Sequence, residues 1–418
     1  MKRVSVDVAV VGAGPAGLAA ALEARRSGAK RVLLIERDAE LGGILQQCIH
    51  DGFGLHRFGR RMSGNQYAQA FIDEVEASGV EVRLGTMALE VTGARVIYAC
   101  SKSEGMLEIE AGAVILAMGC RERTANQVLI CGDRPAGVLT AGAVQRYVNM
   151  EGYLPGSRAV ILGSGDIGLI MARRMTLEGI EVKAVYEVMP APGGLTRNIV
   201  QCLDEFNIPL HLSTTVTRVN GRKRVESVAV ARVDKNLKPI PGTEETVGCD
   251  LLVLAVGLIP ENELSRGAGV ALDPRTKGPV LDDVFMTSVP GVFACGNVAV
   301  VFDLVDYVSQ SGEIAARGAV DFIAGGLCRQ PQYVPVEAGE NVNFVVPQRL
   351  RHGCAGARLF LRVKKPLREA VLTCESGGRM LMQKSLRHLA PPEMIAFDLA
   401  GRIGDAPVAV SIREVTRE

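Results

Sequence analysis

One module occurs twice in this chain of 418 residues, and that repeat limits how the chain can fold more than any other feature. Each copy begins with an apolar strand that runs into a glycine-rich turn and then a helix of small and apolar residues, at 6–22 and again at 157–174. A strand pair and a buried strand ending in glycine follow in the same order: 82–93 and 113–119 in the first copy, 210–221 and 251–257 in the second. Strands that are apolar on both faces are typical of parallel sheets covered by helices.

The two copies are expected to be nested. A return segment at 289–318 follows the second copy, which indicates a nucleotide-binding domain interrupted by a copy of itself. We predict an α/β fold with two Rossmann-like dinucleotide-binding domains, one inserted in the other, plus a small C-terminal antiparallel β domain. The expected bounds are 1–121 and 282–330 for the first domain, 122–281 for the insert and 331–418 for the β domain. The last assignment depends on five short alternating runs, from ARLFLRV to VAVSIRE, separated by turn residues.

Both glycine turns match the G-x-G-x-x-G fingerprint of dinucleotide sites. Glycines at these positions allow a tight turn, close approach of the backbone to a pyrophosphate, and close packing of the following helix on the sheet. In each copy the next strand ends in a glutamate nineteen residues after the last glycine, where a carboxylate can accept hydrogen bonds from ribose hydroxyls. The residues are Gly12, Gly14, Gly17 and Glu36 in the first copy and Gly163, Gly165, Gly168 and Glu187 in the second.

With these motifs the chain resembles the two-dinucleotide-domain flavoproteins that include thioredoxin reductase and other pyridine nucleotide-disulphide oxidoreductases. The resemblance covers about residues 1–326 and implies FAD in the first module and NAD(P)H in the insert. The motif GVFACGNV at 291–298 resembles the family's flavin-contacting segment, with Asn297 where an Asp usually meets the ribityl chain. An amide can still donate or accept a hydrogen bond there.

The resemblance also implies further cofactor contacts. Those expected for FAD are Pro15, Ala16, Arg37, Gly43, Ile44, Met87, Ala117, Gly119, Gly296, Asn297, Asp306 and Tyr307. Those expected for the nicotinamide nucleotide are Asp166, Ile167 and Gly257. The helix beginning near Asp306 would direct its N-terminal dipole at the flavin pyrimidine ring.

NAD(H) is the expected nucleotide of the insert, because a 2′-phosphate would bring negative charge against Glu187. Residues 188–194 contain no Arg or Lys to compensate. Two cations on the preceding helix, Arg173 and Arg174, are the ones that could approach a 2′-phosphate at this site.

Four segments are similar to a narrower subgroup: GGILQQCIHDGFGLHRF, RPAGVLTAGAVQRYVN, GLTRNIVQCLDEFNIPL and LIPENELSR. They resemble FAD-dependent oxidoreductases related to the larger subunit of bacterial opine oxidases and to proteins accompanying anaerobic glycerol-3-phosphate dehydrogenase-like enzymes. This implies an oligomeric NADH-linked flavoprotein that exchanges electrons with a second dehydrogenase or electron-transfer subunit, with glycerol 3-phosphate as one candidate substrate. The alternatives are a self-contained dehydrogenase or oxidase of an amine, opine or small thiol, and a non-catalytic assembly subunit.

The disulphide-reducing members carry CxxxxC after the double glycine or CxxC in the second module, and this chain has neither. Counting from Gly43, Leu45 and His50 occupy the two positions of the CxxxxC pair, and Cys48 stands alone between them. We therefore expect no reduction of a protein disulphide through an internal dithiol. Cys48 and His50 remain candidate catalytic groups, since a thiol or imidazole could bind substrate or tune the flavin. The alternative is a packed thiol and a histidine bonded to the backbone.

Charge and composition narrow the function classes. The formal net charge is +1, so the composition does not indicate a strongly basic surface of the kind that binds nucleic acid or an anionic membrane. The uncharged stretches 8–22 and 286–302 are shorter than the roughly 20 apolar residues of a helix that crosses a bilayer, and Gly and Pro interrupt both. Ten cysteines without CxxC spacing suit a reducing cytoplasm. No metal site is expected, because Cys354 and Cys374 supply only two of the four thiolates that an iron-sulphur cluster usually needs.

Overall fold

The structure is a computed structural model that describes residues 1–328 and 331–415. The chain forms two compact units. Unit 1 comprises 1–46, 51–120 and the described residues of 260–418, and unit 2 comprises 47–50 and 121–259. Unit 2 thus ends before residue 281, where the sequence suggested a boundary. The junction expected at 330 and the last three residues lie outside the described part.

The first part of unit 1 contains a parallel sheet that continues into an antiparallel strand pair. Its elements are β1 Lys2–Val11, α1 Pro15–Arg26, β2 Val32–Ile35, β3 Asp51–Phe53, α2 Leu55–Phe58, β4 Met62–Ser63, α3 Gly64–Ser78, β5 Glu81–Arg83, β6 Thr86–Val91, β7 Val96–Ser101 and β8 Gly105–Leu116. The order in the sheet is β5-β2-β1-β8-β7-β6, with β1 parallel to both β2 and β8. Helix α1 starts at a proline, which fits the first helical position because its missing N–H would have no intrahelical acceptor. Ser63 and Gln66 form a capping box that fixes the start of α3.

Residues 120–260 repeat this pattern. The elements are β9 Cys120–Glu122, β10 Cys131–Gly132, β11 Val138–Thr140, α4 Ala141–Arg146, β12 Arg158–Leu162, α5 Asp166–Leu177, β13 Glu181–Tyr186, α6 Thr196–Cys202, β14 Leu210–His211, β15 Thr214–Asn220, β16 Ser227–Arg232, β17 Glu245–Gly248, β18 Leu251–Leu254 and β19 Leu258–Pro260. Five parallel strands form the sheet β11-β18-β12-β13-β14, and β10-β15-β16-β17 form a second sheet. A π-helical turn, Tyr147–Glu151, continues α4.

The chain then returns to unit 1 and ends in β structure. The elements are α7 Glu263–Gly267, β20 Val292–Ala294, α8 Val305–Ile323, β21 Tyr333–Ala338, β22 Val342–Val346, β23 Arg349–Arg351, β24 Gly356–Val363, β25 Leu367–Ser376, β26 Arg379–Leu389, β27 Ile395–Ala400 and β28 Val408–Glu414. Strand β20 joins the first sheet beside β8. The terminal strands form the sheets β23-β21-β28-β25-β26 and β22-β24-β27, in which only the described pair β21–β28 is parallel. The predicted α/β class with C-terminal antiparallel sheets is confirmed.

The C-terminal sheets pack directly on the Rossmann part of unit 1. Phe360 of β24 lies 5.1 Å from Phe302 and 5.6 Å from Tyr307, measured between ring centroids. Arg351 forms a bidentate ion pair with the buried carboxylate of Asp283. No helix in the described ranges is both long and apolar enough to cross a membrane.

Candidate functional site

The first glycine turn connects β1 to α1, and its three glycines serve different purposes. Gly12 has a φ of +101°, and a Cβ there would lie 2.6 Å from the carbonyl oxygen of Ala117. A Cβ on Gly17 would lie 1.8 Å from the carbonyl oxygen of Gly12. Apart from its chain neighbours, no atom of the described residues lies within 4 Å of the corresponding position on Gly14. Gly12 and Gly17 are therefore required by the packing of the protein itself, whereas Gly14 leaves open space beside the N-terminus of α1.

That N-terminus has free backbone donors. Leu18 donates its N–H to the Gly14 carbonyl, so Ala16 and Gly17 lie in the first turn, where N–H groups have no intrahelical acceptor. Donors of this kind, together with the helix dipole, suit a pyrophosphate. Gly43 packs closely against the turn, since a Cβ on Gly43 would lie 3.0 Å from the Cα of Gly14. The residues thus fit the diphosphate of a dinucleotide.

Glu36 follows β2 at the same edge of the sheet, and backbone groups hold its buried carboxylate. Oε2 accepts the N–H of Ala13 at 2.7 Å, and Oε1 accepts the N–H of Asp38 at 2.9 Å. A carboxylate has about four acceptor sites, so about two remain for other donors. The two hydroxyls of a ribose match that capacity.

The second turn, between β12 and α5, repeats the first. A Cβ on Gly163 would lie 2.2 Å from the Ala255 carbonyl oxygen, and one on Gly168 would lie 2.4 Å from the Gly163 carbonyl oxygen. The corresponding position on Gly165 again has no atom within 4 Å from the part of the chain that the structure describes, its chain neighbours aside. Of the three glycines in the second turn, the middle one is therefore again the one whose missing Cβ leaves open space.

Glu187 in unit 2 is held as Glu36 is in unit 1. It is buried, and its Oε2 accepts the Ser164 N–H while its Oε1 accepts the Met189 N–H, both at 2.9 Å. The Ser164 hydroxyl adds a third hydrogen bond, donating to Oε2 at 2.7 Å. The same hydroxyl oxygen accepts the N–H of Gly193 at 2.9 Å.

Sequence reasoning missed the roles of Ser164 and of a second double glycine. Gly193 and Gly194 follow Glu187 by six and seven residues, which is the spacing of Gly42 and Gly43 after Glu36. That spacing is visible in the sequence and would have extended the repeat. Asp166, predicted from the family, holds this segment, because its Oδ1 accepts the Leu195 N–H at 2.9 Å and the Asn198 amide at 2.6 Å.

The remaining predicted contacts of unit 1 lie near the carboxyl ends of β8 and β20. Gly296 has a φ of +67°, and a Cβ there would lie 2.6 Å from the Cβ of Ala16. The Asn297 side chain is engaged within the unit: Oδ1 accepts the Phe302 N–H at 3.0 Å, and Nδ2 donates to the sulphur of Cys120 at 3.6 Å. These contacts fix the Asn297 amide beside the end of β20.

Asp306 lies in the first turn of α8, as predicted. Its Oδ2 accepts the His56 N–H at 3.2 Å, and its buried Oδ1 has no hydrogen-bond partner among the described residues. The carboxylate stabilises the helix N-terminus. For the same reason it weakens the attraction of that N-terminus for an anionic ring, so the expected dipole effect on a reduced flavin is smaller than α8 alone would give.

The other predicted residues fall into two groups. In unit 1, Thr86 donates its N–H to the Glu36 carbonyl, which brings the start of β6 beside Glu36. The other predicted residues of unit 1 are Pro15 in α1, Arg37 and Ile44 in the segment after β2, Met87 in β6, Ala117 and Gly119 after β8, and Tyr307 in α8. Those of unit 2 are Ile167 in α5 and Gly257 after β18.

Cys48 and His50 belong to unit 2, within the segment 47–50. Burial raises the pKa of the Cys48 thiol to about 12, and a thiol that stays protonated near neutral pH is a poor nucleophile. Gln47 donates its side-chain amide to the Gln145 Oε1 at 2.9 Å, and the Cys48 sulphur lies 3.9 Å from that oxygen. This environment favours the packed-thiol alternative, and a catalytic role for Cys48 and His50 stays a prediction.

Comparison with known proteins is consistent with this geometry. The chain is 30% identical over 362 residues to the alpha subunit of the sarcosine oxidase of Rhizobium meliloti (strain 1021), an alignment that covers 82% of this chain and 33% of that protein. It is 26% identical to one subunit of the opine oxidase of Agrobacterium tumefaciens (strain Ach5), covering 75% of this chain and 65% of that protein. The chain therefore spans about a third of the first relative and just under two thirds of the second.

Among solved structures, the thioredoxin reductase of T. acidophilum superimposes with a TM-score of 0.62 and 26% identity, over 76% of this chain and 98% of that one. Residues 6–314 match the family model of pyridine nucleotide-disulphide oxidoreductases, whose members bind FAD and use NAD(P). The predicted resemblance is thus confirmed: the chain belongs to the pyridine nucleotide-disulphide oxidoreductase family and is a flavoprotein oxidoreductase.

Proposed function

We propose that unit 1 holds FAD, that unit 2 holds NAD(H), and that the protein exchanges the resulting electrons with a partner subunit. The observation that carries the proposal is the repeated cradle. In each unit a buried glutamate accepts two backbone N–H groups, one from the glycine turn and one from the residue two positions after the glutamate itself. The middle glycine of the turn lies beside it, and its missing Cβ leaves open space. Two intact cradles argue against a chain that keeps only structural glycine turns.

Each cradle has a defined task in this proposal. Glu36 and Glu187 accept hydrogen bonds from the adenosine ribose, and the first turns of α1 and α5 donate backbone N–H groups to the pyrophosphates. When bound, the two cofactors supply the redox chemistry by hydride transfer between nicotinamide and flavin. The protein supplies placement.

NADH rather than NADPH is the proposed nucleotide. Glu187 would repel a 2′-phosphate, and both arginines that could offset this repulsion already have other contacts. Arg174 pairs with Glu178 on the same helix, and the Arg173 guanidinium lies 5.8 Å from the centroid of the Phe206 ring. These contacts do not hold either arginine beside Glu187.

The partner is proposed to be a subunit that oxidises an amine. Two relatives of this chain are named as subunits, one of a sarcosine oxidase and one of an opine oxidase. Sarcosine and opines are secondary amines that carry a carboxylate. The same names favour the second candidate, a self-contained amine dehydrogenase or oxidase, over one that acts on a thiol. Glycerol 3-phosphate, the other substrate considered from the sequence, has no support from these relatives.

Anaerobic mixing of the purified protein with NADH tests the redox part of the proposal. Bleaching of the flavin absorbance near 450 nm, with saturation in NADH, is the expected result. No bleaching over minutes would contradict the proposal. Affinity purification from the native cell followed by mass spectrometry tests the partner. Recovery of the chain alone, with amine-dependent flavin reduction, would favour the self-contained enzyme.

A further inference from the structure

The two cradles differ at one buried position, Ala13 in unit 1 and Ser164 in unit 2. In unit 1 the double glycine is tied to the turn through backbone alone, because the N–H of Gly42 donates to the carbonyl of Ala13 at 2.9 Å. In unit 2 the N–H of Gly193 donates instead to the Ser164 hydroxyl. That hydroxyl is fully buried, so its proton is committed to Glu187.

The serine changes how many acceptor sites the glutamate has left. Glu36 accepts two hydrogen bonds within the protein, from Ala13 and Asp38, whereas Glu187 accepts three, two from Ser164 and one from Met189. With about four sites per carboxylate, about two remain on Glu36 and about one on Glu187. Both free hydroxyls of a ribose can therefore donate hydrogen bonds to Glu36, whereas only about one of them can donate to Glu187.

We propose that Ser164 is a positioning residue that weakens the hold of unit 2 on the adenosine ribose and so keeps its nucleotide exchangeable. Ala13 leaves Glu36 with full capacity, which suits a cofactor that stays bound. The inference rests on the proposed function, since it assumes that unit 2 binds an adenine dinucleotide. A net hydrogen bond corresponds to about a 2- to 10-fold change in a binding constant.

ADP-ribose is the probe for this inference, because it contains the ribose and the pyrophosphate and cannot reduce the flavin. Its Kd is measured by titration calorimetry with FAD-loaded protein. Ser164→Ala should bind ADP-ribose about 2- to 10-fold more tightly than the wild type. Ser157→Ala is the matched control, since it removes a serine hydroxyl that donates to Asp250 at 2.6 Å elsewhere in unit 2 and should leave the Kd unchanged.

The outcomes separate the two proposals. An unchanged or weaker Kd for Ser164→Ala overturns the role of the serine and leaves the proposed nucleotide site standing. Absence of saturable binding by the wild type overturns the site itself and the inference with it. Ala13→Ser carries the same test to unit 1: FAD should dissociate about 2- to 10-fold more readily, and unchanged FAD retention counts against the inference even if Ser164→Ala does not fold.

Discussion

Replacing Gly14 with valine should remove FAD from the protein while leaving unit 1 folded. Gly14 is the N-cap of α1, with an extended backbone at φ −72° and ψ −175° that any residue can adopt. Beyond the chain neighbours, the described residues place no atom within 4 Å of the added Cβ, so the loss of stability should be limited to about 1 kcal/mol for a poor N-cap residue. The side chain would instead occupy the space proposed for the pyrophosphate.

The expected loss of FAD affinity follows from that overlap. Forcing a side chain into occupied space costs about 1–3 kcal/mol, which corresponds to about a 5- to 150-fold rise in Kd. The measurement is the ratio of flavin to protein absorbance after purification, combined with thermal unfolding. Protein depleted of flavin, with a near-normal melting temperature, is the expected result.

Two further variants distinguish an effect on ligand binding from an effect on folding. Gly12→Ala should fail to fold, because its Cβ would lie 2.6 Å from the Ala117 oxygen at a φ of +101°. Gly165→Val should keep FAD and lose the response to NADH, since Gly165 occupies the position of Gly14 in unit 2. Full flavin content in Gly14→Val would refute the assignment of unit 1, and an unfolded Gly14→Val would refute the claim that the protein itself does not need this glycine.

Three other predictions concern single residues. Cys48→Ser should leave the rate of flavin reduction by NADH within about twofold of the wild type, because the buried thiol stays protonated; dithionite uptake of two electrons beyond those needed for FAD would point instead to a redox-active thiol pair. Glu187→Ala should narrow the preference for NADH over NADPH in stopped-flow reduction, and equal reduction of the wild type by both nucleotides would contradict the specificity. Burial and, to a smaller extent, Asp283 raise the pKa of Asp282 to about 6, so Asp282 lowers the unfolding free energy as the pH rises from about 4 to about 6, by up to about 3 kcal/mol. Asp282→Asn should flatten that part of the pH profile in chemical denaturation, and an unchanged profile would show that another group causes it.

The sequence was sufficient to predict the repeated part of the fold, because local spacing determines it. The G-x-G-x-x-G spacing between a strand and a helix is typical of one turn geometry, and Glu36 and Glu187 come directly after the strands that follow. The C-terminal strands were likewise predicted from period-two alternation, and the five alternating runs fall on β24 to β28.

The parts that could not be predicted depend on contacts between residues far apart in sequence. Nothing near Asn297 indicates that its amide is shared between Phe302 and Cys120, which lies 177 positions away. Similarly, alternation predicts β24 but not that its Phe360 packs against the ring of Phe302. Ser164 was only an unspecified position within the fingerprint, since the direction of a hydroxyl proton is set by the tertiary structure.

The segment 47–50 has a consequence for how this architecture can be divided. It belongs to unit 2, although the residues on either side belong to unit 1, and its Gln47 donates to both Gln145 and the Gly142 carbonyl while its backbone oxygen accepts the Asn149 amide. A gene fragment encoding 121–259 would therefore lack part of its own interior and leave the polar groups of α4 and of the π-helical turn after it without these partners. Exchange of the second module between related proteins requires two separate pieces of coding sequence, so recombination at the two obvious boundaries alone would produce an incomplete unit.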